Sequence, residues 1–573
     1  MKDVLLIFKT HLDIGFTDYS KNVMEQYLQN YIPNAIKVGY QLKNTDTPFV
    51  WTVGSFLVWE ALKHDEDKSV ENAIKDGILR WHALPFTTHT ELMSEKLFEL
   101  GLSLSKKLDE RFGMKTTGAK MTDVPGHTLG MIPICKRNCI KFLHIGVNPA
   151  TPLPSVPPIF RWRYNGEDII VMYQGDYGEV AQFDDFIVYF AHTGDNLGPQ
   201  DASSVVKVYQ EIKEKYPDCN ILASSIEDLA RRIANIKDLP IIEKEIGDTW
   251  IHGAGTDPQK VSRFRRLMRE IEGMDDIPDE AVCNMLSVAE HTWGMDVKTH
   301  FPCDKYYTHQ EMQALKKERK KIEKSWQEQR DYAINAENAL NVKHDYVVVE
   351  PNLSEYEKED VPLSFAYEIS WQLFDNVDYE RYKKTYMRCF EPWAIWDFTK
   401  VGLEDYEGGI FTAKVVSAYS KNDEKLYKLE FESNDASKYG LPTFYLSEKG
   451  NNVEIKWFNK QPSRLPQAFW LKFKNFKEEW LVQKMGAWIK PENIMYSSLI
   501  LGIDRGVKNQ DVFIESLDAP LVAPYGRRLL QYNVQEKEQD LYFNLYNNIW
   551  NTNFPMWYED DAIFRFKLNF IKN

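Results

Sequence analysis

The sequence predicts an N-terminal α/β domain with a parallel, barrel-like sheet, then a helical bundle, then antiparallel β-sandwich domains. Over residues 1–256, β-rich runs alternate with amphipathic helical stretches, which is typical of βαβ units around a parallel sheet. Over residues 257–344, strand signals nearly vanish. Over residues 345–573, short β-branched and aromatic runs separated by turn residues return, which favours antiparallel sandwiches.

In the first region, each candidate strand precedes a turn or a helical stretch. Ser224–Glu227 has the pattern of a capping box, in which a hydroxyl and a carboxylate satisfy free helix N–H groups. The candidate strands are Val4–Phe8, Phe49–Val53, Ile78–Leu84, Ala119–Thr122, Lys141–Gly146, Ile169–Tyr173, Asn220–Ala223 and Ile241–Ile246, and the helical stretches include Ser20–Leu42, Glu91–Arg111, Ala202–Tyr216 and Ser224–Ile236.

The two later regions differ in their patterns. Tyr306–Ala339 carries a charged run, Lys316–Lys321, beside an apolar stripe, and we interpret the run as the solvated face of a helix. The candidate strands that follow are Tyr346–Val349, Phe411–Ser417, Leu426–Phe431, Val453–Phe458, Ala468–Phe473 and Leu541–Leu545.

Composition excludes several classes of protein. The 573 residues carry a net charge of −15, and a chain of that sign repels phosphate backbones, so nucleic acid is not the expected main partner. We find no run of 18 or more apolar residues, so no membrane span is expected. Met1–Phe8 is predicted to be a strand and not a signal peptide. The location stays open: it is cytoplasmic, or periplasmic or secreted if a signal peptide has been removed. Homo-oligomerisation also stays open.

Polar turns follow four of the predicted strands. In a parallel sheet these turns lie at one edge, the carboxyl ends of the strands, where such folds place their sites. The turns are Lys9–Thr17, Pro85–Glu91, Asp123–Thr128 and Gly247–Asp257.

Two histidines and two aspartates are candidate metal ligands. His11 and Asp13 are two residues apart, so on extended chain both side chains point to the same side. Asp123 at another strand end and His291 after a helical run would complete a set of four, the number typical of zinc. Such ligands suit zinc, with calcium or cobalt as alternatives. Taken singly, each motif has an ordinary structural explanation. His11 and Asp13 could be a hydrogen-bonded pair, Asp123 could cap a turn, and His291 could be a histidine of the core.

These motifs, in this order, resemble those of the glycoside hydrolase family 38 α-mannosidases. The resemblance rests on His11-Leu12-Asp13, on Asp123-x-Pro-Gly-His127 and on Glu290-His291. It implies the domain order inferred above and one zinc ion per chain, held by His11, Asp13, Asp123 and His291. The chain departs from the family pattern by an extra residue between Asp123 and the proline, and by lacking a Trp-Ser-Gly-Tyr-like stretch.

The resemblance implies a retaining exo-α-glycosidase that acts on a terminal α-mannoside or a similar sugar of a glycan. Such enzymes need two carboxyl groups about 5 Å apart, one as nucleophile and one as acid/base. Asp123 inherits the role of nucleophile from the family motif. Asp257 lies near where the acid of the family would fall, and Asp248 and Asp185 are alternatives.

Five further residues are candidates for contacts with the sugar. Trp51 and Trp293 could stack on a sugar face, and Glu91, Arg263 and Tyr173 could bind hydroxyls. Each tryptophan is equally well explained as core.

Two other functions fit the same residues. A polysaccharide deacetylase or lyase could use the same metal ligands, and a carbohydrate-binding protein could keep the fold without catalysis. His127 is a candidate to hold the loop that carries Asp123.

Overall fold

The computed structural model describes residues 2–302, 304–433, 436–474, 476, 479–495, 499–534 and 540–571. The first region alternates strands and helices as the sequence predicts. Its strands are β1 Asp3–His11, β2 Trp51–Gly54, β3 Leu79–His82, β4 Gly118–Asp123, β5 Phe142–Val147, β6 Ile159–Tyr164, β7 Glu167–Gln174, β8 Ala181–Gln182, β9 Phe186–Asp195, β10 Asn220–Ala223, β11 Ile241–Ile242 and β12 Glu245–Ile246. Its α-helices are α1 Ser20–Gln26, α2 Ile32–Leu42, α3 Ser55–Lys63, α4 Ser69–Lys75, α5 Glu95–Phe112, α6 Met131–Arg137, α7 Ala202–Lys215 and α8 Ile226–Ile233, with a π-helix Tyr27–Tyr31 and 3₁₀-helices Thr90–Leu92 and Thr249–Gly255.

Two mainly parallel sheets form the centre of this region. One has the order β3-β2-β1-β9-β8, with β10 also paired to β1, and the other has the order β11-β6-β7-β5-β4. Their edges approach where Ala83 N donates to Gly118 O at 2.9 Å. Residues 4–11 of β1 are all buried, as expected for a strand covered on both faces. The predicted α/β class is therefore confirmed.

Several predicted elements differ in detail from the observed ones. Strands β6 and β9 were not predicted, although Phe186–Ala191 is a continuous β-branched and aromatic run. The predicted strand Ile241–Ile246 is split into β11 and β12, which pair in different sheets. The capping box begins one residue later than predicted, because the hydroxyl of Ser225 and the carboxylate of Asp228 form it.

The middle region is helical, and its helices pack against the long helix α13. Arg319, within the predicted solvated run, is buried and pairs with Glu559 at 2.8 Å, whereas the other residues of Lys316–Lys321 are exposed. The helices are α9 Pro258–Glu272, α10 Asp279–Ala289, α11 Val297–His300, α12 His309–Ala314 and α13 Lys316–Ala339.

The last region holds two antiparallel sheets, as predicted. Their strand orders are β13-β16-β17-β18-β19-β29-β26-β25-β21-β22 and β15-β14-β20-β28-β27-β24, and β23 pairs with β12. The strands are β13 Glu357–Glu359, β14 Tyr367–Leu373, β15 Gly409–Thr412, β16 Lys414–Lys421, β17 Glu424–Glu430, β18 Thr443–Lys449, β19 Asn452–Phe458, β20 Gln467–Phe473, β21 Leu481–Lys484, β22 Ala487–Ile489, β23 Ile494–Met495, β24 Leu501–Gly502, β25 Gly506–Lys508, β26 Val512–Ser516, β27 Leu521–Ala523, β28 Tyr542–Asn547 and β29 Ala562–Phe570. The helices are α14 Asn376–Tyr386, α15 Pro392–Phe398 and α16 Ala436–Tyr439, with 3₁₀-helices Leu353–Glu355 and Pro491–Asn493.

One large hydrophobic cluster runs through all three regions, and the described residues form three smaller clusters beside it. The boundaries predicted at residues 256 and 344 stay predictions. Among the helices of the described residues, none combines the length and the apolar character needed to cross a bilayer.

A buried ion triad joins the first and last regions. Lys484 on β21 lies 2.5 Å from Glu91 and also pairs with Glu245, the first residue of β12. All three side chains are at most 3% exposed. Glu91 also accepts from Gly502 N at 3.0 Å, so it contacts the last region twice.

We predict that Lys484→Met destabilises the protein by about 3–5 kcal/mol, because it leaves two buried carboxylates without their cation. Urea denaturation followed by tryptophan fluorescence measures this loss. The matched control is Lys75→Met, which removes an exposed partner of Glu71 and should leave the free energy of unfolding nearly unchanged. Equal losses in the two variants would contradict the role given to the triad.

Candidate functional site

The structure brings together the four residues predicted as metal ligands. His11 is the last residue of β1, Asp13 follows it, Asp123 ends β4, and His291 follows α10. The loops that carry them are hydrogen-bonded to each other, since Phe16 N donates to Gly294 O and Asp296 N donates to Phe16 O.

Three of these side chains form a tight buried cluster. Asp13 Oδ1 lies 3.2 Å from His11 Nε2 and 3.0 Å from His291 Nε2, and the two Nε2 atoms are 3.0 Å apart. One ligand atom from each residue lies within 4.8 Å of the others, which suits a shared ion. Asp123 stands slightly further out, with Oδ2 3.4 Å from His291 Nε2.

The outer nitrogen of each ring lies close to an oxygen atom, in a hydrogen bond for His11 and in an ion-pair contact for His291. His11 Nδ1 lies 2.7 Å from Thr122 Oγ1, and His291 Nδ1 lies 2.6 Å from Glu290 Oε1. If each Nδ1 carries the proton, both Nε2 lone pairs point at each other and at the Asp13 carboxylate. Such an arrangement needs a positive charge at its centre, and orientation through Nδ1 is what metal-binding histidines usually show. The residues present therefore fit a divalent metal.

Charge in this cluster shifts two pKa values strongly. Burial alone would lower the pKa of His291, but the carboxylates of Glu290, Asp123 and Asp13 raise it well above its usual value. Burial alone would raise the pKa of Asp13, but His11 and His291 lower it well below its usual value. The protein therefore stabilises positive charge at this point even before any ion is considered.

Asp123 is held in a strained backbone conformation. Its φ of +82° lies in the left-handed region, which an aspartate adopts at a cost of roughly 1–3 kcal/mol. Asn148 donates to Asp123 Oδ1 at 3.1 Å, and the hydroxyl of Tyr177 donates to the same oxygen. The second carboxylate oxygen faces His291. Strain of this kind is found at functional sites.

A cavity of about 310 Å³ opens over this cluster. Asp13 and Asp123 line it, whereas His11 and His291 lie beneath its floor and are 1% and 3% exposed. Its other carboxylates are Asp195, Asp296 and Asp397.

Asp195 is the carboxylic acid that sequence reasoning missed. It ends β9, so the rule that placed the other candidates at strand ends would have found it had β9 been predicted. Its Oδ1 has no hydrogen-bond partner among the described residues. Burial, together with the charges of Asp13 and Asp123, raises its pKa to about 7. A carboxyl group of this kind can carry a proton near neutral pH.

The aspartates predicted as the acid/base do not line the cavity. Asp257 caps α9 by accepting from Lys260 N at 3.0 Å and pairs with Arg330 at 2.8 Å. Asp248 caps the 3₁₀-helix Thr249–Gly255, and the hydroxyl of Tyr386 donates to it at 2.8 Å. Each carboxylate accepts a hydrogen bond from a backbone N–H group and so caps a helix, and the assignment of either residue as the acid/base stays a prediction.

Asp185, the third alternative, does not line the cavity either and also stays a prediction. Its side chain is 74% exposed at the surface beside Arg232, away from the residues that line the cavity.

Neither tryptophan predicted to stack on a sugar lines the cavity. Trp51 on β2 is fully buried in the core, and Trp293 lies under the Lys260 ammonium, 3.8 Å from its ring centre. The aromatic side chains that do line the cavity include Phe16, Trp250 and Trp550. The sequence alone does not show which tryptophans line the cavity and which are buried in the core, because tertiary packing decides which indole rings stay accessible.

The three polar residues predicted to bind the sugar are engaged elsewhere. Glu91 belongs to the buried triad described above. Tyr173 donates to Pro125 O at 2.9 Å, and Arg263 pairs with Glu337 at 2.5 Å. None of the three lines the cavity, so their contacts with a sugar stay predictions, and Tyr173 supports the loop after Asp123.

His127 holds the same loop. Its backbone N donates to Ile246 O at 2.8 Å, and its buried ring lies 3.3 Å from Thr90 Oγ1.

Comparisons with known proteins agree with the fold. The profile of a domain of unknown function (DUF5054) matches residues 254–359. No curated protein gives a significant match. A crystal structure of an α-mannosidase from Enterococcus faecalis V583 superposes with a TM-score of 0.59 at 10% identity, covering 100% of this chain and 87% of that one. A glycosyl hydrolase family 38 protein from Enterococcus faecalis gives 0.53 at 8% identity, covering 100% and 86%.

The predicted resemblance to glycoside hydrolase family 38 is therefore confirmed at the level of the fold. The low identity makes the resemblance in sequence a distant one.

We predict that His11→Ala loses a bound divalent metal, because it removes one of the two nitrogen ligands of the cluster. Elemental analysis after loading with zinc and dialysis measures the metal per chain. The control His64→Ala changes an exposed histidine and should retain the metal. Full metal content in His11→Ala would rule out this ligand assignment.

Proposed function

We propose that the protein is a zinc-dependent retaining exo-α-glycosidase that removes terminal α-mannoside-like sugars from glycans. The observation that carries this proposal is the cluster of His11, Asp13, His291 and Asp123 at a cavity lined by a further carboxyl group, Asp195, whose Oδ1 has no hydrogen-bond partner among the described residues. A cavity of about 310 Å³ is at the small end of the range of ~300–1,000 Å³ for ligand pockets, which suits a terminal sugar better than a polymer.

Two histidines and two aspartates would hold one zinc ion. Nitrogen and carboxylate donors in this number match zinc preferences. When bound, the ion would orient hydroxyl groups of the terminal sugar and stabilise negative charge there. Thr122 and Glu290 would fix the orientation of the two imidazole rings.

Asp123 is the proposed nucleophile. Its carboxylate would attack the anomeric carbon as the bond to the glycosidic oxygen breaks, giving a covalent glycosyl-enzyme intermediate. Asn148 and Tyr177 hold Oδ1 by hydrogen bonds, and the fixed carboxylate needs little reorganisation before attack.

Asp195 is the proposed acid/base. It would give its proton to the departing glycosidic oxygen, then take a proton from the water that displaces Asp123. Asp397 also has its pKa raised to about 7, chiefly by burial, but Lys298 pairs with it at 2.6 Å. An ion-paired carboxylate is less available as an acid, so Asp195 is the better candidate.

We predict that Asp123→Ala lowers kcat on an aryl α-mannoside by about 10⁴-fold or more, since the proposed mechanism forms the covalent intermediate on Asp123. The control Asp185→Asn changes an exposed carboxylate and should retain activity. Proton NMR of the first product formed by the parent should show the α-anomer. A β-anomer would refute retention, and sugar binding without hydrolysis would identify a carbohydrate-binding protein instead.

We predict that Asp195→Gly lowers kcat/KM by about 10²–10⁴-fold for leaving groups that need protonation. A dinitrophenyl leaving group needs none and should restore the first step. Added azide should then release an α-glycosyl azide, because it attacks the intermediate on Asp123 where the base is missing. If azide neither accelerates turnover nor appears in a product, Asp195 is not the acid/base.

A further inference from the structure

A second group of charged side chains lines the same cavity. Lys298, on the short helix α11, lies 2.9 Å from Asp296 Oδ1 and 2.6 Å from Asp397 Oδ1. Thr299 also donates to Asp296, at 2.6 Å. Among the described residues, the side chains of this group form hydrogen bonds and ion pairs with each other and with Thr299. They form none with the four candidate metal ligands. We refer to Asp296, Lys298 and Asp397 as the charged triad.

The charged triad carries more negative than positive charge. Its two carboxylates already neutralise the Lys298 ammonium, which packs 5.4 Å from the centre of the Phe16 ring. The three side chains are 9–19% exposed, so they are shielded from bulk water but open to the cavity. Interactions between charges at such a site are stronger than at the surface.

Aromatic rings accompany the triad on the cavity wall. Phe398, next to Asp397, has its ring centre 6.0 Å from that of Trp250 and 5.7 Å from that of Trp550. The indole N–H groups of Trp250 and Trp550 have no acceptor among the described residues, although Trp550 is only 2% exposed. Phe398, Trp250 and Trp550 all line the cavity, so part of their aromatic surface faces any ligand bound there.

We propose that the charged triad and these aromatic rings form the subsite for the unit that leaves, and that this subsite selects neutral or aminated units over anionic ones. This inference rests on the proposed glycosidase function. An aromatic wall can stack on the apolar face of a sugar ring. A carboxylate, sulfate or phosphate there would face Asp296 and Asp397 with no free cation among the described residues that line the cavity, whereas an ammonium group would gain an ion pair.

The alternative is that the triad only connects α11 to α15. A buried ion pair contributes little to stability when it is compared with apolar packing, so its location on the cavity wall is not explained by stability alone. The two roles differ in one measurable respect, because only a subsite changes the preference among substrates of different charge.

The test uses three α-mannosyl disaccharides that differ only in the second unit, which is glucose, glucosamine or glucuronic acid. We expect kcat/KM to be about tenfold or more lower for the glucuronic acid compound than for the glucose compound, as one repelling charge nearby would give. The glucosamine compound should be cleaved at least as well as the glucose compound.

Two variants test whether the charged triad selects against anionic units, because they should change the discrimination in opposite directions. Asp397→Asn removes a negative charge and should shrink the discrimination against glucuronic acid. Lys298→Gln removes the positive charge and should enlarge it. A structural role would move kcat/KM for all three disaccharides together and leave their ratios unchanged, which would overturn the inference.

Failure of the inference and failure of the proposed function give different results. If an aryl α-mannoside is hydrolysed but the three disaccharides are cleaved equally, only the charge selection is wrong. If no α-mannoside is hydrolysed, the glycosidase proposal fails. Calorimetric binding of the same three disaccharides to the zinc-loaded protein then decides the selection, and equal affinity for the glucuronic acid compound overturns it.

Discussion

The candidate site depends on one electrostatic constraint, the need for positive charge between His11, Asp13 and His291. Two imidazole nitrogens and a carboxylate oxygen lie 3.0–3.2 Å apart in the interior, where no solvent relieves the repulsion of their lone pairs. Thr122 and Glu290 face the outer ring nitrogens and so favour this orientation. The chain therefore maintains a cluster that is stable only with a proton or a cation at its centre.

The ligand positions could be predicted from sequence because each lies at the end of a regular element. β1 and β4 belong to the two mainly parallel sheets, and the carboxyl ends of both strands meet at the site, so the short polar motifs there are informative when they are taken together. The position of His291 was harder, since it depends on how the loop after α10 is bonded to the loop after β1. The order of the three regions was also readable, because periodicity changes sharply between them.

Spacing alone does not select a candidate for the acid/base. Asp248 and Asp257 both precede helical turns, and aspartate is favoured there because it caps free N–H groups. The same residue type therefore has a structural explanation wherever a helix begins. Asp195 does not cap a helix. It was missed only because strand β9, which it ends, was not predicted. No local sequence pattern indicates that Asp397 and Trp550 line the cavity, because their positions depend on packing between regions that are distant in the sequence.

The same backbone segments hold the ligands and fix the last region to the first. Glu91 follows the turn whose Thr87 O accepts from His291 N at 3.3 Å, and Glu245 precedes Ile246, whose O accepts from His127 N. Both carboxylates bind the ammonium of Lys484 from β21. Movement of the β-rich region would therefore be transmitted to His291 and to the Asp123 loop. Because Asp397 and Trp550 of that region also line the cavity, docking of the regions and the geometry of the site are determined by one set of contacts.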